Sequence, residues 1–171
     1  MSRCSGRSAI AIAALAATIA GTLAASALGL AADATEPRYP EGATIFQANC
    51  AVCHGAKGLG QPSLAPPLTS YPARYATIPE GRRQLVLTVL NGMFGGIDVE
   101  SKHYDFKMPE FTQLDDAALA AALNFVVFDI SHAAEGTKPL IPAEIAAERA
   151  APIEGSAVRE HRAKVLAALG L

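Results

Sequence analysis

Cys50-Ala51-Val52-Cys53-His54 puts two thiols and an imidazole within five consecutive residues. Thiols at this spacing can each add to one of the two vinyl groups of an iron porphyrin. The adjoining imidazole then lies under the ring, within reach of the metal. Cys-x-x-Cys-His is accordingly the attachment pattern of c-type haem. Two other chemistries use close cysteines. Zinc needs further ligands at suitable spacing, whereas His103, His132 and His161 are scattered and the only other cysteine is Cys4. A thioredoxin-like dithiol needs a strand–helix context, and no strand pattern precedes Cys50. The expected cofactor is one covalently bound haem c, and the expected chemistry is the movement of single electrons.

An iron held by His54 on one side has a second axial position. Met108 carries a soft thioether, and Pro109 beside it restricts the backbone that would present it. Met108 reads equally well as a gap-filler in an apolar core. Met93 follows a helix stop and sits beside Gly95-Gly96, where it reads as loop packing. His103, His132 and His161 lie in polar, surface-like contexts. On the residues alone, Met108 is a candidate ligand among these five.

These groups need helices to position them. Apolar residues and an acidic start predict a helix over Glu41–Asn49, running straight into the cysteine pair. Gly55–Thr69, with prolines at Pro62, Pro66 and Pro67, is a loop. Ser70–Thr77 reads as an irregular connector. Pro79 suits a first helical turn, and a helix runs from there to Leu90, before Asn91-Gly92. Ile97–Val99 and Lys102–Tyr104 alternate and suit a small hairpin around Glu100-Ser101. The strongest helix is Asp116–Ser131, capped by Asp115, with Leu119, Ala122, Leu123, Val126, Val127 and Ile130 at three- and four-residue steps. Two further helices, Pro142–Ala151 and Gly155–Leu169, follow a break.

The chain has 171 residues. Residues 1–32 combine Arg3 and Arg7 with an apolar stretch, Ala9–Ala32, that contains no charge. That is the layout of a secretory signal peptide, with cleavage expected between Ala27 and Ala34. An uncleaved membrane anchor is the alternative, since a span needs roughly 20 apolar residues. Either way the remainder is exported, and the expected location is the periplasm. Cleavage removes Cys4, so the mature chain keeps only one close cysteine pair and no disulfide framework. Losing Arg3 and Arg7 from 14 basic residues leaves 12 against 16 acidic, a net charge of −4. Without a basic run, nucleic acid is not an expected partner.

With Cys50–His54 followed by Met108-Pro109, the chain resembles a class I c-type cytochrome, the bacterial monohaem type, from about Glu41 to Ser131. Gly42 and Phe46 match the family's small-and-aromatic pair on the N-terminal helix. Ala122 and Phe125 match the C-terminal helix that crosses it. Tyr104–Phe111 is similar to the family's ligand loop. The resemblance implies that Met108 is the second iron ligand and that the Pro66 carbonyl accepts the other N–H of His54. It also implies that Leu68 packs on the haem face. The chain departs from the pattern in having no tryptophan, which many relatives place near a haem propionate. Tyr71, Arg74, Tyr75 and Tyr104 are the candidate substitutes.

The resemblance implies an all-α cytochrome c fold, with three to four core helices around the haem and room for the small hairpin. A linker spans residues 33–40 and the cytochrome domain 41–132. A helical C-terminal extension, 133–171, either wraps the core or docks a partner. The implied function is periplasmic one-electron transfer between redox proteins such as a dehydrogenase, oxidase or reductase. The chain itself would be no enzyme, and a monomer or a complex subunit. A fixed cytochrome subunit of a dehydrogenase or reductase complex is the second reading. A haem-based sensor or peroxidase, which needs a labile Met108, is the third.

Overall fold

Gly42 and Phe46 lie four residues apart, which puts both on one face of the first helix, α1 (Pro40–Asn49). Pro40 begins it and Glu41 complements its positive end. In the computed structural model, which describes residues 36–171, this face meets α5 (Asp116–Asn124). Gly42 is required there because a Cβ would overlap the Ala121 carbonyl and come 2.9 Å from the Phe125 Cβ. Ala122, next along α5, lines the central cavity. The export segment and residues 33–35 of the linker lie outside the described residues.

The helix expected over Asp116–Ser131 is two structures in series. Asp115 caps α5, its carboxylate accepting from the Ala118 N–H at 2.7 Å. From Phe125 to Ile130 the chain continues as a π-helical segment. Phe125, Val126, Val127 and Phe128 are consecutive and all buried. A narrow apolar stripe cannot bury four consecutive side chains, but an element packed on several sides can. Phe125 meets Phe46 with ring centroids 5.4 Å apart, and Phe128 stacks on Tyr39 at 5.2 Å. The Asp129 carboxylate accepts from the Arg38 and Tyr39 N–H groups at 2.6 and 3.1 Å, fixing the start of α1.

Between these partners lie α2 (Ala51–His54), α3 (Tyr71–Tyr75) and α4 (Pro79–Asn91). The Ser70–Thr77 connector is thus partly helical, with Pro72 in its first turn and Tyr75 buried. Its sequence is too short for a periodic signal, and packing against α4 and the π-helical segment holds it. β1 (Ile97–Val99) and β2 (Lys102–Tyr104) form the expected antiparallel hairpin. Glu100 and Ser101 take φ of 50° and 64°, as a tight two-residue hairpin turn demands.

The extension forms α6 (Pro142–Arg149), two residues shorter than expected, and α7 (Gly155–Leu169). Both wrap the core. Ile145, Val158 and Val165 are buried, worth about 1.5–3 kcal/mol each. The Asn124 amide clips the extension at its start. It donates to the Leu140 carbonyl at 2.9 Å and accepts from the Leu140 N–H at 2.8 Å. Arg82 on α4 holds Glu144 at 2.7 Å, and Arg149 returns to Asp116 at 2.7 Å. No helix among the described residues is long and apolar enough to cross a membrane.

Candidate functional site

His54 ends a one-turn helix at Gly55, whose φ of 76° turns the chain away. The loop that follows folds back, so that Nδ1 of His54 lies 2.9 Å from the Pro66 carbonyl oxygen. A carbonyl only accepts, so Nδ1 carries the proton and Nε2 keeps its lone pair. Burial holds the imidazole below its ordinary pKa, and the Pro66 bond offsets only part of that. The ring is therefore neutral at pH 7 and presents a fixed donor nitrogen.

Cys53 immediately precedes His54 and Cys50 lies one turn earlier, both half-buried and free of disulfide bonding. Burial, and after it the neighbouring Cys53, pushes the Cys50 thiol up to about 11. A catalytic dithiol needs a depressed pKa, so the redox-pair alternative does not suit this pair. Nor do the described residues contain a cluster of three or more His, Cys, Asp or Glu able to hold a metal, which removes the zinc alternative for this part of the chain.

The thiols and His54 open on a cavity of about 220 Å³. One water needs about 10–15 Å³ on this measure. The cavity is lined chiefly by apolar groups, and Leu68, Leu85, Val89 and Val126 contribute to it. Pro66 and Met108 line it as well. Water fills such a space poorly, whereas a large, flat, apolar ring fits it.

Met108 reaches the cavity by a device that periodicity does not reveal. Gly92 ends α4 with φ of 67°, and a Cβ there would lie 2.5 Å from the Met108 carbonyl oxygen. Next to it, Met93 and Met108 form an isolated antiparallel bridge with N–H···O distances of 3.1 and 2.8 Å. Both methionines line the cavity. Met93 is thus more than loop packing. The three candidate histidines lie elsewhere. His103 and His132 are exposed, and His161 Nδ1 pairs with the Gln84 side chain at 2.7 Å.

The cytochrome c family model matches residues 39–127, the stretch that carries both thiols, His54, Pro66 and both methionines. The chain belongs to the cytochrome c family. It is 35% identical over 127 residues to a cytochrome c-552 of Thermus thermophilus, covering 73% of this chain and 96% of that protein. A second cytochrome c-552 from the same species is also 35% identical over 127 residues and is covered over 85% of its length. As a member, this cytochrome carries one covalently bound haem c, with Cys50 and Cys53 at the attachment positions. It is an electron-transfer protein that works with redox partners. The residues fit the group: two thiols free of disulfide bonding at one side, a neutral imidazole beside them and an apolar cavity between.

One lining residue was not anticipated. Arg162, on α7, is 8% exposed and reaches the same cavity. The sequence does carry a signal for it. Val158, Arg162 and Val165 fall at i, i+4 and i+7 on α7, and all three are buried. An arginine on an apolar stripe needs a reason.

Proposed function

We propose that this cytochrome is an exported, freely diffusing carrier of single electrons, its iron held between Nε2 of His54 and the sulfur of Met108. The observation that carries the reading is the 2.9 Å contact from His54 Nδ1 to the Pro66 carbonyl. It fixes the ring and strengthens its other nitrogen as a donor. Bound here, haem c supplies a one-electron couple whose potential His/Met ligation raises. Leu68, which lines the cavity, would pack on the ring and, with the other apolar groups, exclude water, so that little solvent would have to reorganise when the charge changes. The Met93–Met108 bridge holds the thioether's backbone in place. Two ligands leave no open position for a substrate, which favours a carrier over a sensor or peroxidase.

Val52 and Phe106 line the cavity yet are 75% and 60% exposed. Because both also border the cavity, they would stand at its rim, where a redox partner would meet the haem edge. The apolar face of the extension is already spent on α4, which argues against the extension as the docking element of a fixed subunit. A mature protein that migrates alone in native size exclusion, shortened by 27 to 34 residues, is the expected outcome. Stoichiometric co-purification with a larger oxidoreductase would support the subunit instead.

The ligand assignment is tested by comparing Met108→Ala with Met93→Ala. The first should abolish the long-wavelength absorption band that iron–methionine bonding gives the oxidised protein, and let the reduced form bind CO. The second should leave both properties intact. The reverse pattern would make Met93 the ligand.

A further inference from the structure

Arg162 is a buried cation without an acid. Its one hydrogen bond runs from Nη2 to the Asp98 carbonyl at 3.1 Å, and no carboxylate of the described residues pairs with it. The guanidinium also lies 5.9 Å from the centre of the Tyr71 ring. Beside it stands Tyr75, whose buried O–H donates to no acceptor; the Arg162 guanidinium is near enough to act on its oxygen. Burial raises the Tyr75 phenol and the Arg162 charge pulls it back only in part, so the hydroxyl keeps its proton. An unpaired guanidinium and an unpaired O–H donor on one apolar wall are each costly to bury. Together they are a donor set for an anion, and a guanidinium matches a carboxylate best.

The cofactor of this family brings carboxylates. Haem carries its two propionates on the edge away from its vinyl groups. The vinyl edge is fixed by Cys50 and Cys53, whose helical turn packs on α1. Arg162 belongs to a different wall, since α7 packs on α4 and the arginine reaches over to β1. We infer that Arg162 and Tyr75 form the propionate-binding subsite, so that the C-terminal extension supplies the cation that neutralises the haem carboxylate. The family match ends at residue 127, so this charge comes from outside the family domain. The extension is then part of the electron-transfer site. By placing a positive charge near the iron it favours the reduced state.

This inference rests on the haem being seated in the cavity, and the test separates the two claims. Holoprotein is prepared as wild type, Arg162→Gln, Arg162→Lys, Tyr75→Phe and Arg83→Gln. The last breaks the Arg83–Glu148 pair between α4 and α6, which lies outside the cavity. Haem content is measured for each, and then the midpoint potential. Arg162→Gln should lower the reduction equilibrium constant roughly tenfold, about 59 mV for one electron. Arg162→Lys should recover part of it. Tyr75→Phe should shift it the same way by roughly threefold, the size of one hydrogen bond. Arg83→Gln should leave the potential where it was.

A haem-loaded Arg162→Gln with the wild-type potential overturns the inference, as does an equal shift in Arg83→Gln. If Arg162→Gln fails to load haem, Tyr75→Phe decides, and no shift there overturns it. Wild-type protein without covalent haem would instead overturn the cofactor reading.

Discussion

The wall that carries Cys50, Cys53 and His54 is a local structure, whereas the wall that carries Arg162 is assembled across the chain. The bond that orients His54 spans 12 residues, to Pro66. The bond that seats Arg162 spans 64, to Asp98. A short-range site needs one helical turn and one loop. A long-range site exists only when α6 and α7 have docked on α4 and α5. The first wall supplies attachment, which has to be local because two thiols must meet one ring edge. The second supplies charge, which acts over distance and tolerates assembly from afar.

The contrast is broken most severely at the cysteines. Replacing both, as Cys50→Ser with Cys53→Ser, should eliminate covalently bound haem altogether. It should also remove several kcal/mol of the roughly 5–15 kcal/mol that hold a domain of this kind together, because the apolar cavity loses its filling. Haem staining after denaturing electrophoresis and a thermal melt report the two losses. A stained band of normal intensity would show that attachment does not depend on this wall.

The far wall is probed at its clip. Asn124→Ala leaves the N–H and the carbonyl of Leu140 buried without partners. The expected cost is about 3 kcal/mol, from two buried groups at about 1–3 kcal/mol each. Covalent haem should be retained in full. Urea unfolding beside a haem assay checks both. A loss under about 0.5 kcal/mol would mean that the ion pairs, rather than Asn124, hold the extension down.

The same division governs what could be read from the sequence. The cysteine pair, His54, the Asp115 cap and the hairpin turn are local, and each lies where its residue types imply. The π-helical segment was not legible. Val126, Val127 and Ile130 fit a 3.6-residue repeat well enough to continue α5, and the burial of Phe125 and Phe128 against Phe46 and Tyr39 depends on the tertiary fold. Met93 reads as loop packing in the sequence because its role depends on a strand-like bridge to a residue fifteen positions later. The short α3 has too few residues for any period. Arg162 was legible as an anomaly on the α7 stripe, but its destination required the tertiary fold.

The mildest test of the far wall uses acid. Glu144 accepts from the Arg82 guanidinium at 2.7 and 2.8 Å and from the Ile141 N–H at 2.9 Å. The Arg82 hydrogen bond is the main reason its carboxyl sits below the usual carboxylate range. A group whose folded pKa is depressed adds stability at pH values above its unfolded pKa, about 4.3 for glutamate. That stability fades as the pH falls through the folded value. The pair is partly exposed, 17% and 32% for the two side chains, so the contribution is at most about 1 kcal/mol. Glu144→Gln should therefore be less stable than the parent at pH 7 by about that amount or less, and the gap should be narrower at about pH 3, below the pKa of an ordinary glutamate. Urea unfolding at both values measures it. A gap that persisted unchanged in acid would mean that the carboxylate charge is not what the variant loses, because a protonated Glu144 is as neutral as the glutamine. The far wall would then be held by hydrogen bonding alone, and the charge on Arg82 would be incidental to it.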